Sequence, residues 1–124
     1  MRTAWYLSVL GLVLPMIAQA VDLKGSNAGQ RERGLLVFQT YCMTCHGSYA
    51  DGKGKSAKNL KPPPANLRTS VKTDQYKEEI IRKGGAAVGR SPFMPPWGQE
   101  LSDQQIADVV YYLRSITGAK SKPK

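Results

Sequence analysis

Histidine and cysteine are nearly missing from this sequence, with one of the first and two of the second among 124 residues. A closed tetrahedral zinc site wants four such ligands, so this set cannot supply one. Acidic residues are few, 9 Asp and Glu against 18 Lys and Arg, which leaves a net charge of +9. A field of that sign favours acidic protein surfaces or anionic lipid and works against basic partners. Nucleic acid is the usual suspicion for a basic chain, but no nucleic-acid-binding motif appears. An alternating strand pattern and an internal repeat are also absent.

A long hydrophobic run is lacking too. The stretch from Ala4 to Ala18 is almost wholly apolar, yet short of the ~20 residues a membrane span requires. Arg2 precedes it and Ala18-Gln19-Ala20 follows as a small-x-small cleavage site. This is the anatomy of a secretory signal peptide over residues 1–20, cleaved after Ala20; the alternative is an uncleaved N-terminal anchor. Arg2 is the one charged residue of that segment, so its loss takes the net charge from +9 to +8 over residues 21–124. About a hundred residues make a single domain with a small core, a size at which a covalent staple or a cofactor is commonly needed.

Helical signals dominate what remains. Asn27 is placed to cap a helix from Ala28 to about Tyr41, with Gln30 in a box-like position. Gly34, Phe38 and Cys42 share one face of it, and it is expected to end at the turn Cys42–His46. Residues 47–70 are rich in Gly, Pro, Lys, Ser and Asn, including Lys61-Pro62-Pro63-Pro64. They read as a loop long enough to require a function, such as wrapping a cofactor. Asp74–Lys83 forms a short helix with Tyr76, Ile80 and Ile81 on its apolar side, stopped by Gly84-Gly85. The clearest element follows Ser102. Ser102 and Gln105 make a capping box, Leu101 and Ile106 a hydrophobic staple, and Ile106, Val109, Val110, Leu113 and Ile116 an apolar stripe, with Gly118 as the stop.

The chemistry lies in Cys42-Met43-Thr44-Cys45-His46. C-x-x-C-H is the pattern of covalent c-type haem attachment. Two thiols at this spacing reach the two vinyl groups of a rigid macrocycle, and the adjacent histidine then supplies a ligand to the iron. A thioredoxin-like redox pair would expect a βαβ setting, which is absent. A plain structural disulfide would leave the neighbouring histidine as coincidence. For the opposite axial position, Met43 lies inside the attachment turn and cannot reach. Met94 lies 48 residues after His46 in Ser91-Pro92-Phe93-Met94-Pro95-Pro96-Trp97. Prolines on both sides lower the entropy lost when its thioether is held against iron. The alternative is that Met94 only fills the core. His/Met ligation raises the reduction potential and closes both faces of the iron, which favours electron carriage over catalysis.

From Gly34 to Ser115 the sequence resembles the class I c-type cytochromes of the small monohaem bacterial kind. Gly34-x-x-x-Phe38-x-x-x-Cys42 is similar to that family's first helix, and Val109 and Tyr112 to its last-helix pair, where two helices cross closely. The resemblance implies an all-α cytochrome c fold of three to four helices wrapped around one haem. It implies that Met94-Pro95-Pro96-Trp97 is the methionine-ligand loop, with Trp97 near a propionate. It also implies that Pro62-Pro63-Pro64-Ala65-Asn66-Leu67 lies beneath the proximal histidine, with a proline carbonyl holding the imidazole N–H. Pro64 is the first choice for that carbonyl, with Pro62 and Pro63 as alternatives, and Leu67 is expected to pack on the haem.

The expected protein is thus a periplasmic electron carrier and not an enzyme. It holds one haem c through Cys42 and Cys45, with His46 and Met94 as axial ligands. Its partners are a redox donor and acceptor with acidic docking surfaces, not nucleic acid, with transient contact to the membrane face and a monomeric state. Lys53, Lys55, Lys58 and Lys61 either line the docking face or form a solvated loop. Rival readings are a dedicated haem subunit of a dehydrogenase or terminal reductase, a ligand-binding haem sensor, and a thiol–disulfide protein without haem.

Overall fold

Helix formation begins at Ser26, whose extended backbone and side-chain oxygen, 3.0 Å from the Gly29 amide, cap the first helix, α1 (Asn27–Val37). The computed structural model describes residues 25–118. The expected signal peptide and its cleavage point after Ala20 lie outside the described residues, as do residues 119–124. Asn27, expected as the cap, is instead the first helical residue, because the Ser26 hydroxyl is the one that meets the free amide.

The helix does not end before the attachment turn. Phe38–Cys42 continues it as a π-helical turn, in which the Met43 amide reaches back five residues to the Phe38 carbonyl. Met43–His46 then adds one more turn, α2, closed by Gly47. A π turn accommodates one extra residue and so rotates everything after it relative to the α1 face. Phe38 stays fully buried, its ring 5.4 Å from that of Tyr112.

The other two helices keep their expected bounds. α3 (Asp74–Lys83) is capped by Thr73 and terminated at Gly84. α4 (Asp103–Ile116) carries the Ser102–Gln105 capping box with both reciprocal bonds in place. Leu101 and Ile106 are both buried, as are Val109, Val110, Leu113 and Ile116. Short 3₁₀ turns at Ala57–Asn59, Leu67–Thr69 and Ala86–Val88 punctuate the connections. Among the described residues there is no strand, and no helix is long and apolar enough to cross a membrane.

The most extensive helix contact is α1 against α4. It is made possible at Gly34, where a Cβ would lie 2.6 Å from the Asp108 carbonyl carbon and 2.7 Å from the Tyr112 Cβ. Asp108 itself is 2 % exposed. It accepts from Arg33 of α1 at 2.7 and 3.3 Å and from Gln104 at 2.9 Å. α3 is tied to α4 from its surface. Asp74 accepts from Arg114 at 2.8 Å, and Arg82 donates to Asp103 at 2.7 Å. Lys77, which the apolar reading of α3 passed over, is buried; its stem lies inside while its ammonium reaches Asp74 at 3.4 Å.

Gly34→Ala is expected to destabilise the fold by about 3 kcal/mol, since backbone on the facing helix cannot move aside as a flexible side chain would. A denaturant titration checks this, and a midpoint equal to that of the parent would show that the helices have room to separate.

Candidate functional site

The attachment turn gathers its surroundings through backbone. The last residues of α2 leave carbonyls without helical partners, as every helix end does. Here the loop that follows supplies the donors. The Gly52, Gly54 and Ser56 amides donate to the His46, Cys45 and Thr44 carbonyls at 2.8, 3.1 and 3.0 Å. Every second residue of the loop therefore faces the turn, while Lys53 and Lys55 between them are exposed. The approach is close. A Cβ at Gly54 would overlap the Thr44 carbonyl, and one at Gly52 would lie 2.5 Å from the Pro64 oxygen. Leu67 closes the wrap by donating its amide to the Ala50 carbonyl at 2.8 Å.

His46 is half-buried with Nδ1 3.1 Å from the Ala65 carbonyl oxygen. A carbonyl only accepts, so Nδ1 carries the proton and Nε2 keeps its lone pair. This corrects the sequence expectation for Pro64, and equally for Pro62 and Pro63. The acceptor is the residue after the prolines, because the Pro64 carbonyl is turned towards Gly52. Burial pushes the imidazole below its usual pKa, and the Ala65 bond opposes this more weakly. Burial thus favours the neutral ring, the form that binds a metal. Burial pushes the Cys42 thiol up to about 12, with the neighbouring Cys45 adding to the effect. That is the reverse of what Cys42 would need to act as a thiol–disulfide nucleophile, which is a depressed pKa.

The methionine loop is also brought to this side of the core. Met94, Trp97, Leu67, Tyr41, Leu35 and Cys42 are partly buried and pack against the closed cluster formed by Phe38, Ile81, Leu101, Ile106 and their neighbours. Trp97 meets Tyr41 edge-on at 5.3 Å. The loop is fixed to the end of α3 through the Trp97 amide to the Ile81 carbonyl (2.8 Å), the Gly98 amide to the Arg82 carbonyl (3.1 Å) and the Gly85 amide to the Met94 carbonyl (2.8 Å). Sequence reasoning singled out Met94, Trp97 and Leu67 but missed Ala65, Tyr41 and the glycine ladder. The alternation of glycines in Gly52-Lys53-Gly54 is the signal that was available, since it marks one loop face pressed against backbone.

An all-α domain with a C-x-x-C-H turn wrapped by a glycine-rich loop, a methionine loop after its third helix and a close first-to-last helix crossing defines a class I cytochrome c domain. The chain belongs to the family described as cytochrome c oxidase, cbb3-type, subunit III, which matches residues 29–113. It is 30 % identical over 103 residues to a cytochrome c-553-like protein of Synechocystis sp., covering 82 % of this chain and 80 % of that one. The cbb3-type oxidase subunit CcoP of Azospirillum brasilense is 24 % identical over 82 % of this chain. The chain spans about a third of the length of the CcoP relatives it matches, 33 % and 32 %. Among solved structures, a chain of the Kuenenia stuttgartiensis reducing HAO-like protein complex has 30 % identity and a TM-score of 0.59, with 71 % of this chain and 43 % of that chain covered.

The family implies haem c, and the residues present fit it. Two thiols stand on one helical turn, a neutral imidazole has one nitrogen tied down and the other free, and a band of half-buried apolar side chains lies beside a closed core. Gly52→Ala, which combines a left-handed φ of 80° with the 2.5 Å approach to Pro64, would push Ala65 away from His46. A bonded Nδ1–H makes the imidazole a stronger donor to iron. The variant is therefore expected to show a higher midpoint potential and a lower melting temperature. Redox titration of the haem-loaded protein checks the first, and an unchanged potential would show that the Ala65 bond does not tune the ring.

Proposed function

We propose that this chain is an exported carrier of single electrons in the periplasm, working as a monomer. In this reading Cys42 and Cys45 would hold one haem c through thioether bonds, and His46 and Met94 would ligate its iron. What supports the reading above all is the His46 ring, oriented by the Ala65 carbonyl next to the turns that carry both cysteines. Haem c supplies an iron centre that gains or loses one electron with little rearrangement. His46 offers Nε2 to one face, and the Ala65 bond prevents the ring from rotating. Met94 offers a soft thioether that favours the reduced state. Leu67, Tyr41 and Trp97 keep water from the buried side, and Trp97 has an indole N–H suited to a propionate. With both faces of a bound haem filled by the chain's own groups, electron exchange would need no bond making.

The partners fit acidic docking surfaces. Lys53, Lys55, Lys58 and Lys61 are exposed, and among the described residues none of them forms an ion pair. A second reading, a haem subunit permanently held in a larger redox assembly, is favoured by the oxidase-subunit relatives and the HAO-like complex chain. Purification from the native membrane and soluble fractions separates the two. The carrier reading expects the chain alone in the soluble fraction, and the subunit reading expects it with a fixed partner.

The optical spectrum of the haem-loaded protein tests the ligands. Narrow c-type bands are expected on reduction, together with the weak far-red band of methionine on ferric iron, which Met94→Ala should abolish while leaving the c-type bands. Their absence would remove haem attachment from the proposal, and a far-red band that survives Met94→Ala would remove Met94. For docking, electron-transfer rates to an acidic partner should fall as ionic strength rises. The slope should flatten when Lys53, Lys55, Lys58 and Lys61 are changed to Gln; rates indifferent to salt would remove the docking role of these lysines.

A further inference from the structure

We propose that Gly85 is a positioning residue for the sixth iron ligand. Through it, the end of α3 decides whether the sixth position is closed. The proposal rests on Met94 being that ligand. α3 ends with its carbonyls free, and the methionine loop uses two of them, through the Trp97 and Gly98 amides. A third bond runs the other way, from the Gly85 amide to the Met94 carbonyl at 2.8 Å. Gly85 also accepts from the Arg90 amide at 2.7 Å. Its amide therefore holds the loop at Met94 and its carbonyl holds it at Arg90, so residues 85–94 form a closed backbone ring.

The ring admits no side chain at Gly85. A Cβ there would overlap the Ser91 carbonyl oxygen and lie 3.1 Å from the Met94 Cβ. The severe overlap is with the Ser91 carbonyl, which itself accepts from the Met94 amide at 3.2 Å, so a larger residue must displace the turn Ser91–Met94 and press on the ligand residue with it. Elsewhere the loop behaves differently. Phe93, beside Met94, is half exposed, and Gly89 has nothing within 4 Å of a Cβ although its φ is +68°. The lock is thus carried by backbone, and the steric constraint falls on particular glycines. With the Met94 backbone held in this way its thioether has fewer alternative positions, which disfavours the open form of the sixth site. External ligands then bind with an apparent affinity reduced by that population.

The test uses the haem-loaded full chain and four variants, with Gly89→Ala as the strained but uncrowded control and Met94→Ala as the check on the ligand. Gly85→Ala is expected to lose most of the far-red methionine band, to lower the midpoint potential, and to let the reduced protein bind carbon monoxide roughly tenfold or more faster as the open form becomes populated. Gly98→Ala, whose Cβ would lie 2.9 Å from the Arg82 carbonyl oxygen, is expected to do the same to a smaller degree. Gly89→Ala should cost stability and leave the band and the carbon monoxide rate at parental values. Should Gly85→Ala fail to load haem, Gly98→Ala decides on the same criteria. If Met94→Ala removes the band but the Gly85 and Gly98 variants keep it with parental carbon monoxide rates, the ligand stands and the positioning role falls. The role also falls if Gly89→Ala loses the band equally, since general strain would then explain the effect. If Met94→Ala leaves the parental spectrum unchanged, the ligand reading fails and this proposal falls with it.

Discussion

The contact of α1 with α4 at Gly34 governs the arrangement of this domain. α1 runs without a break through a π turn into the residues that carry both cysteines and His46. α4 carries most of the closed core. Wherever α1 is held against α4, the attachment turn is therefore held against the core, with a rigid helix as the lever. The absence of a Cβ at Gly34 sets the spacing, Phe38 one turn later stacks near Tyr112, and the buried Asp108 with Arg33 fixes the rotation. A buried charge is tolerated there because Arg33 and Gln104 supply its hydrogen bonds.

The two sides of the site are then built in the same way, although no motif is shared between them. On the histidine side, the loop after the turn donates amides to the helix-end carbonyls of residues 44–46. On the methionine side, the loop after α3 donates amides to the carbonyls of residues 81 and 82. Both loops use an obligatory property of helix ends, the unsatisfied carbonyls, as an attachment point. This lets a chain with a small core hold long connections rigidly. The order comes from backbone hydrogen bonds, which do not depend on side-chain identity except where glycine is needed for the approach.

That division explains what was legible in the sequence. α3 and α4 could be read with their bounds because capping residues, apolar spacing and glycine stops all act locally. The C-x-x-C-H chemistry was legible because its spacing is dictated by the ligand. The cap of α1 was misplaced by one residue, since Ser26 and Asn27 are both good caps and only the path of the preceding chain selects between them. The π turn was not legible, because nothing in Phe38–Cys42 distinguishes it from an α-helix by composition. The choice of Ala65 over Pro64 as the histidine's acceptor was hidden for a similar reason. Adjacent carbonyls in an extended segment point in opposite directions, so a shift of one residue in register exchanges the carbonyl facing His46 for the one facing Gly52.

Charge is distributed along the same lines as rigidity. Residues 73–118 hold five basic and six acidic side chains, and several of these form pairs that join α3 to α4 or lie along α3. Residues 47–72 hold six basic side chains and only Asp51 in opposition. The Asp51 carboxylate is occupied by the Lys53 backbone amide. The helical half thus spends its charges on internal ties and is nearly neutral, while the loop around His46 keeps a strong positive field that faces water. Such a molecule has a large electrostatic asymmetry, so an approaching acidic surface would turn it before contact. That surface would meet first the loop that encloses the histidine side, which the backbone bonds from Gly52, Gly54 and Ser56 hold firm.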